Sequence, residues 1–196
     1  MPVYILGNDI VFPDPKDAEE TGLLAVGGDL EPERLLLAYG NGIFPWYSED
    51  EPILWFSPDP RLIFELNEYK PRRTLRKLIN SGKYSIRIDT DFESVIRHCA
   101  KVPRPGQYGT WITEEMISAY IKLHQLGYAH SFETYQDNEL AGGLYGISLG
   151  SAFFGESMFH LKTDASKVAF HSLVEKCRQF EFSFIDSQVP NDHMIQ

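Results

Sequence analysis

Phe182, Phe184, Asp186 and Gln188 alternate near the end of the chain, and the side-chain period of a strand sets them on one face, with Ser183, Ile185, Ser187 and Val189 on the other. An acid and an amide then project together beside two rings. A carboxylate in such surroundings is partly desolvated and is suited to hold, orient or take a proton from an amine; the alternative is a strand that simply runs out into solvent. A second acid, Glu156, interrupts the apolar run Phe153-Phe154-Gly155-Glu156-Ser157-Met158-Phe159. A buried glutamate is rarely tolerated alone, so it pairs inside the protein, meets a cation from outside, or sits at a solvated edge.

On the neighbouring predicted strand, Gly142-Gly143-Leu144-Tyr145-Gly146 marks close backbone approach, either by a ligand or at a bulge. A helix opening at Pro71 brings several of Arg72, Arg73, Arg76 and Lys77 onto one face and turns Leu75, Leu78 and Ile79 the other way. That basic face is an ordinary solvated surface or a seat for phosphates. Rings cluster at Phe44-Pro45-Trp46-Tyr47, Trp55-Phe56 and Tyr108-Gly109-Thr110-Trp111, for stacking a ligand or for packing two domains together. The histidines are scattered without metal-ligand spacing, and Cys99 and Cys177 read as reduced core thiols. Phosphate loop, dinucleotide fingerprint and serine nucleophile elbow are all missing from the sequence, so neither metal nor cofactor is expected. What remains is a set of carboxylates, amides and aromatics suited to transfer between two bound substrates.

The elements that must position these residues follow from period and punctuation. The first third reads as irregular and rich in Pro, Gly and aromatics, with one helix predicted from Pro32 to Tyr39 and stopped by Gly40. Pro58 and Pro60 mark a boundary between a small N-terminal domain, residues 1–60, and a second domain, residues 61–196. Beyond it, strands are predicted over 62–66, 84–89, 129–135, 139–148, 151–159 and 182–189, the three central ones joined by tight turns as an antiparallel meander. Helices are predicted over 71–80, from a cap at Asp91 to 100, from a cap at Thr113 to a stop at Gly127, and over 164–180. Helices interleaved with a mainly antiparallel sheet make an α+β fold.

A formal charge of −10 excludes a protein that coats nucleic acid through charge alone, but leaves room for a local basic patch. No apolar stretch is long enough to span a bilayer, and the N-terminus lacks the basic-then-apolar pattern of a secretory signal, so a cytoplasmic location is expected.

Taken in order, Gly22-Leu23-Leu24-Ala25-Val26-Gly27-Gly28-Asp29-Leu30, Gly42-Ile43-Phe44-Pro45-Trp46, Trp55-Phe56-Ser57-Pro58-Asp59-Pro60-Arg61, Gly109-Thr110-Trp111-Ile112-Thr113, Gly142-Gly143-Leu144-Tyr145-Gly146, Phe154-Gly155-Glu156-Ser157-Met158-Phe159 and Ile185-Asp186-Ser187-Gln188 closely resemble the bacterial leucyl/phenylalanyl-tRNA–protein transferases, from about Gly22 to His193. The resemblance implies a small N-terminal domain followed by an N-acyltransferase-like domain related to the acetyl-CoA-dependent acetyltransferases. It also implies transfer of Leu or Phe, with Met as a further donor, from aminoacyl-tRNA to proteins beginning with Arg or Lys, marking them for degradation. Asp186 and Gln188 match the pair implicated in transfer, and Glu156 an acid beside it. Leu144, Met158, Phe170 and Ile185 fall where the family lines its pocket for the donor side chain. Tyr39, Trp46, Trp111 and Tyr120 match aromatics near the tRNA end and acceptor peptide. Arg73, Arg76 and Lys77 match the surface that holds the acceptor stem. Family members usually continue for a few tens of residues past Asn191-Asp192-His193, whereas this chain stops at Gln196.

Such chemistry needs alignment above all, because an aminoacyl ester is already activated and calls for neither ATP nor metal. On this reading Asp186, held by Gln188, orients the attacking amine and stabilises its developing charge. Two rivals stand beside it. An acetyl-CoA-dependent acetyltransferase would want a glycine-rich turn into the helix after the Phe153 to Phe159 strand, where His160-Leu161-Lys162-Thr163-Asp164-Ala165-Ser166 has none. A non-catalytic adaptor for N-terminal residues would have no use for the basic helix.

Overall fold

The computed structural model describes residues 3–102 and 110–189. Its elements run β1 (Tyr4–Leu6), β2 (Leu23–Gly27), α1 (Pro32–Gly40), β3 (Phe44–Pro45), β4 (Leu54–Phe56), β5 (Leu62–Glu65), α2 (Arg73–Asn80), β6 (Ser85–Ile88), α3 (Phe92–Lys101), α4 (Glu114–Gln125), β7 (Ala129–Gln136), β8 (Glu139–Leu149), β9 (Ala152–His160), α5 (Ala165–Gln179) and β10 (Phe184–Gln188). The expected α+β class holds. The first third departs from the expected irregularity: it builds a four-stranded sheet in the order β1-β2-β4-β3. Its strands are two to five residues long, and a register shift between Leu23 and Ala25 interrupts β2, so no two-residue period could build up.

The second sheet has the order β5-β10-β9-β8-β7-β6. β7, β8 and β9 form the expected antiparallel meander, turned by Asp137 and Asn138 at positive φ (54° and 64°) and by Gly150 (59°). β10 returns after α5 to lie parallel to β9 and antiparallel to β5. Two apolar layers flank this sheet. Tyr145, Ile147, Phe154 and Phe159 pack with α1, α3, α4 and the first sheet, and Phe132, Leu144, Phe153 and Ile185 pack with Ala169, Leu173, Val174 and Cys177 of α5.

The predicted caps divide. Thr113 caps α4, its hydroxyl accepting from the Met116 N–H at 3.2 Å. Asp91 makes no cap bond through its side chain; the buried carboxylate of Glu133 instead accepts from the Asp91 N–H at 3.4 Å and from the Thr90 hydroxyl at 3.0 Å. Among the described residues no helix is long and apolar enough to cross a membrane.

Two bulges shape the sheet where function was expected. Between β8 and β9 the pairing jumps from Tyr145↔Ser157 to Gly146↔Gly155, leaving Glu156 as the extra residue. Phe153 and Met158 are five apart and would face opposite sides of a regular strand; the bulge returns both to the α5 side, and Phe154 and Phe159 both to the other. Gly146 makes room for it, since a Cβ there would lie 2.2 Å from the Phe154 carbonyl oxygen. The glycine run thus serves bulge and packing: at Gly142 a Cβ would meet the Ala165 Cβ at 2.8 Å and the Ser166 nitrogen at 3.1 Å, at the buried start of α5. Between β10 and β5 the pairing jumps from Asp186↔Ile63 to Gln188↔Leu62, leaving Ser187 extra and Gln188 at φ 63°.

Candidate active site

The parallel pairing of β9 with β10 ends at Phe154↔Asp186, and both bulges lie just beyond it. Glu156 and Gln188 are therefore aimed by irregular backbone where the strands part. The side-chain amide of Gln188 donates to Glu156 Oε1 at 2.7 Å, and its backbone N–H donates to Asp186 Oδ1 at 2.8 Å. Gln188 thus holds Asp186 as expected, but through its backbone, and its side chain serves Glu156. The expected alternation of the last strand needs two corrections: the extra residue at Ser187 puts Val189 in the layer opposite Ile185, and Phe182 leaves the face of Phe184. Glu181 at φ 57° and the bond from the Phe182 N–H to the Cys177 carbonyl delay the strand to Phe184, and Phe182 packs in the α5 layer instead.

Glu156 receives two further donors from the helices of the other layer. Tyr39 of α1 donates to Oε1 at 2.8 Å and Tyr120 of α4 to Oε2 at 3.2 Å, while their two hydroxyl oxygens lie 2.5 Å apart. Both phenols are fully buried. Burial first, then the Glu156 charge, raises them well above the ordinary phenol value, so they stay protonated. Burial pushes the Glu156 carboxyl up to about 7, with the Asp186 charge adding to the rise and the Tyr39, Gln188 and Tyr120 donors opposing it.

Asp186, 4 % exposed, is neutralised by Arg61, whose Nε lies 3.0 Å from both carboxylate oxygens and whose Nη2 lies 2.9 Å from Oδ2. The same guanidinium donates from Nη1 to the Gly42 carbonyl and lies over the Phe44 ring. The site is thus a carboxyl raised to about 7 beside an acid paired with a fixed guanidinium. That arrangement can accept a proton from an amine and orient the amine as it reacts.

The other expected residues fall in three places. Leu144, Met158, Phe170 and Ile185 share one apolar cluster on the α5 side, with Phe64 and Tyr69. Trp46 is 37 % exposed, its ring edge-on to Phe56 at 5.6 Å, and Trp111 is partly buried against the other layer; neither ring joins the contacts around Glu156 described above. Tyr108, Gly109 and His193 lie outside the described residues. Arg73, Arg76 and Lys77 are exposed on α2, while Leu75, Leu78 and Ile79 pack toward Tyr84, Ala141, Ala165 and Val168, as the helical period required.

Two family models match the chain: the leucyl/phenylalanyl-tRNA protein transferase N-terminal domain over residues 28–59, and the leucyl/phenylalanyl-tRNA protein transferase over residues 63–196. The chain belongs to this family. It is 55% identical over 198 residues to the leucyl/phenylalanyl-tRNA–protein transferase of Myxococcus xanthus, covering all of this chain and 85% of that protein. It is 55% identical over 195 residues to that of Maridesulfovibrio salexigens, covering 99% of this chain and 81% of that protein. Among solved structures, FemX matches with a TM-score of 0.54 at 11% identity over 87% of this chain and 64% of that one, which shows a shared fold.

Arg61 closes the family motif from Trp55 and stands directly before a strand, but a partner 125 residues away leaves no trace of its role in local spacing.

Proposed function

We propose that the chain transfers leucine or phenylalanine, with methionine as a further donor, from aminoacyl-tRNA to the α-amine of proteins beginning with Arg or Lys, and that Glu156 takes the proton the amine sheds. The amine nitrogen attacks the ester carbonyl carbon; the new C–N bond forms, the C–O bond to the terminal ribose breaks, and the ribose oxygen leaves with a proton. No electrons change hands, and Glu156 can lose in the second half the proton it gained in the first.

The observation that carries this reading is the triangle of Tyr39, Tyr120 and Glu156, two buried phenols closing on a carboxyl poised near pH 7. A group whose pKa lies near the working pH combines the correct protonation state with a useful driving force for proton transfer. Asp186, locked in place by Arg61, is the fixed acid against which the amine develops positive charge. The donor side chain is placed in the α5-side cluster of Leu144, Met158, Phe170 and Ile185, where an apolar pocket discriminates by only ~1–3 kcal/mol per methylene and so admits both Leu and Phe. Trp46, Trp111, Tyr39 and Tyr120 flank the tRNA end and the acceptor peptide, and the acceptor stem lies along Arg73, Arg76 and Lys77. The buried start of α5 against Gly142 argues against a pyrophosphate seat there, and with it against the acetyl-CoA alternative. The setting is cytoplasmic, and the product is marked for degradation through its new N-terminal residue.

The deciding experiment incubates the chain with tRNA carrying labelled leucine and a peptide beginning with Arg, without ATP. Label on the peptide is the expected result. Peptide binding without transfer, in this chain and in one extended to the length of its relatives, would overturn the reading in favour of an adaptor.

A further inference from the structure

Two buried polar atoms that find no hydrogen-bond partner sit on neighbouring rings beside the donor cluster: the Tyr69 hydroxyl and Nδ1 of His171. Their rings lie 5.7 Å apart. The Tyr69 ring is held on several sides, by Phe64 at 5.6 Å, by Phe170 at 5.9 Å and by the Arg178 guanidinium 5.8 Å from its centroid. Its backbone is pinned as well, the Tyr69 carbonyl accepting from Arg178 Nη2 at 2.9 Å. A ring so fixed cannot swing its hydroxyl toward a partner elsewhere in the chain.

An unpaired buried hydroxyl or imidazole nitrogen is destabilising, and it persists where something from outside completes it. Phe170 touches the Tyr69 ring, precedes His171 in α5 and belongs to the cluster proposed to take the donor side chain. Resting on that proposal, we infer that Tyr69 and His171 form a polar end to the donor pocket and that the chain accepts tyrosine as a donor aminoacyl group. A phenol both donates and accepts, matching a tyrosine hydroxyl on one side and an imidazole nitrogen on the other. Leucine and phenylalanine offer neither, and methionine only a weak acceptor. Burial holds His171 below the usual imidazole value, so the ring is neutral near pH 7 and keeps a nitrogen free to accept. The reacting atoms are unchanged: the ester C–O bond breaks, the amide C–N bond forms, and the amine proton ends on the ribose oxygen.

The test charges one tRNA in turn with phenylalanine and with tyrosine, and measures kcat/KM for transfer of each to the same Arg-initiated peptide. Tyrosine is expected within about tenfold of phenylalanine, and Tyr69→Phe and His171→Phe are each expected to lower the tyrosine-to-phenylalanine ratio by about tenfold or more. The ratio separates loss of recognition from loss of fold, since both donors report on the same folded fraction. Tyrosine transfer below about one-hundredth of phenylalanine transfer, or a ratio that neither variant moves, overturns the inference and leaves the two atoms to an ordered water. Absence of phenylalanine transfer itself would strike the transferase reading first, and this inference with it.

Discussion

Arg61 and Asp186 form the one described contact in which a side chain from the link between the two sheets grips the functional strand: the guanidinium spans both carboxylate oxygens while its third nitrogen holds the Gly42 carbonyl. Gly42 in turn donates its N–H to the Tyr39 carbonyl, so the acid of β10 and the end of α1 are tied to the same cation.

Lysine keeps the charge but offers no planar fork, so Arg61→Lys cannot satisfy Asp186 and Gly42 together. The expected outcome is a folded enzyme whose kcat falls about 10- to 100-fold, the range associated with a misplacement near 1 Å, with the KM for tRNA little changed. Arg61→Ala leaves a buried carboxylate unpaired and is expected to cost about 3–5 kcal/mol in denaturant unfolding. A lysine variant at full turnover would show that the fork geometry is irrelevant to transfer.

Glu156 carries the pH dependence. Its carboxyl is raised from 4.5 to about 7, so its contribution to stability is complete below about pH 4.5 and is lost as pH rises through 7. Glu156→Gln should therefore gain stability over the parent at pH 8, by at most about 3 kcal/mol, and show no such gain at pH 5. Turnover in the parent should climb with pH to a midpoint near 7. The Gln variant should lose that limb and most of its rate, keeping only the limb of the acceptor amine near pH 8. Urea melts at the two pH values and kcat profiles at saturating acceptor are the checks, and a parent-like limb in the variant would assign the proton to another group.

Much of this fold was open to the sequence because its second sheet is regular. β7, β8, β9 and α5 follow their expected ranges within a residue or two, and Thr113 and Gly127 bound α4 as their chemistry requires. The site was less open. Alternation set Asp186 with Gln188, but the extra residues at Ser187 and Glu156 are register events, visible only once β10 is paired with β5 and β9 with β8. The hydrophobic run flagged Glu156 as an acid needing partners; that two of them are tyrosines 117 and 36 residues away is a matter of topology. The first sheet was missed because strands this short carry no period, and Arg61 because ion pairs across a fold have no spacing rule.

The exposed cations of α2 make a prediction independent of the chemistry. Replacing Arg73, Arg76 and Lys77 by Glu leaves the partly buried Leu75, Leu78 and Ile79 face untouched, so the fold should survive. If the three contact phosphates, the slope of log affinity for tRNA against log salt should fall by about 2–3, while single-turnover rates at saturating tRNA stay close to the parent's. Filter binding across a salt series gives the slope, and an unchanged value would send the tRNA to another surface.

Gly146 tests whether the β9 bulge aims Glu156. A Cβ there would sit 2.2 Å from the Phe154 carbonyl oxygen and 2.5 Å from the Phe153 ring, so Gly146→Ala must push backbone, not a flexible side chain. The expected cost is about 1–3 kcal/mol, against no measurable cost for Gly7→Ala, where a Cβ meets nothing within 4 Å. The more telling readout is the pH midpoint of turnover. Moving the Phe154 carbonyl shifts the residue that follows it by two, so Glu156 should drift from the Tyr39 and Tyr120 hydroxyls and lose donors that lower its pKa, carrying the midpoint upward. A variant that loses stability yet keeps the parent midpoint would mean that Tyr39, Tyr120 and Gln188 fix Glu156 without help from the bulge.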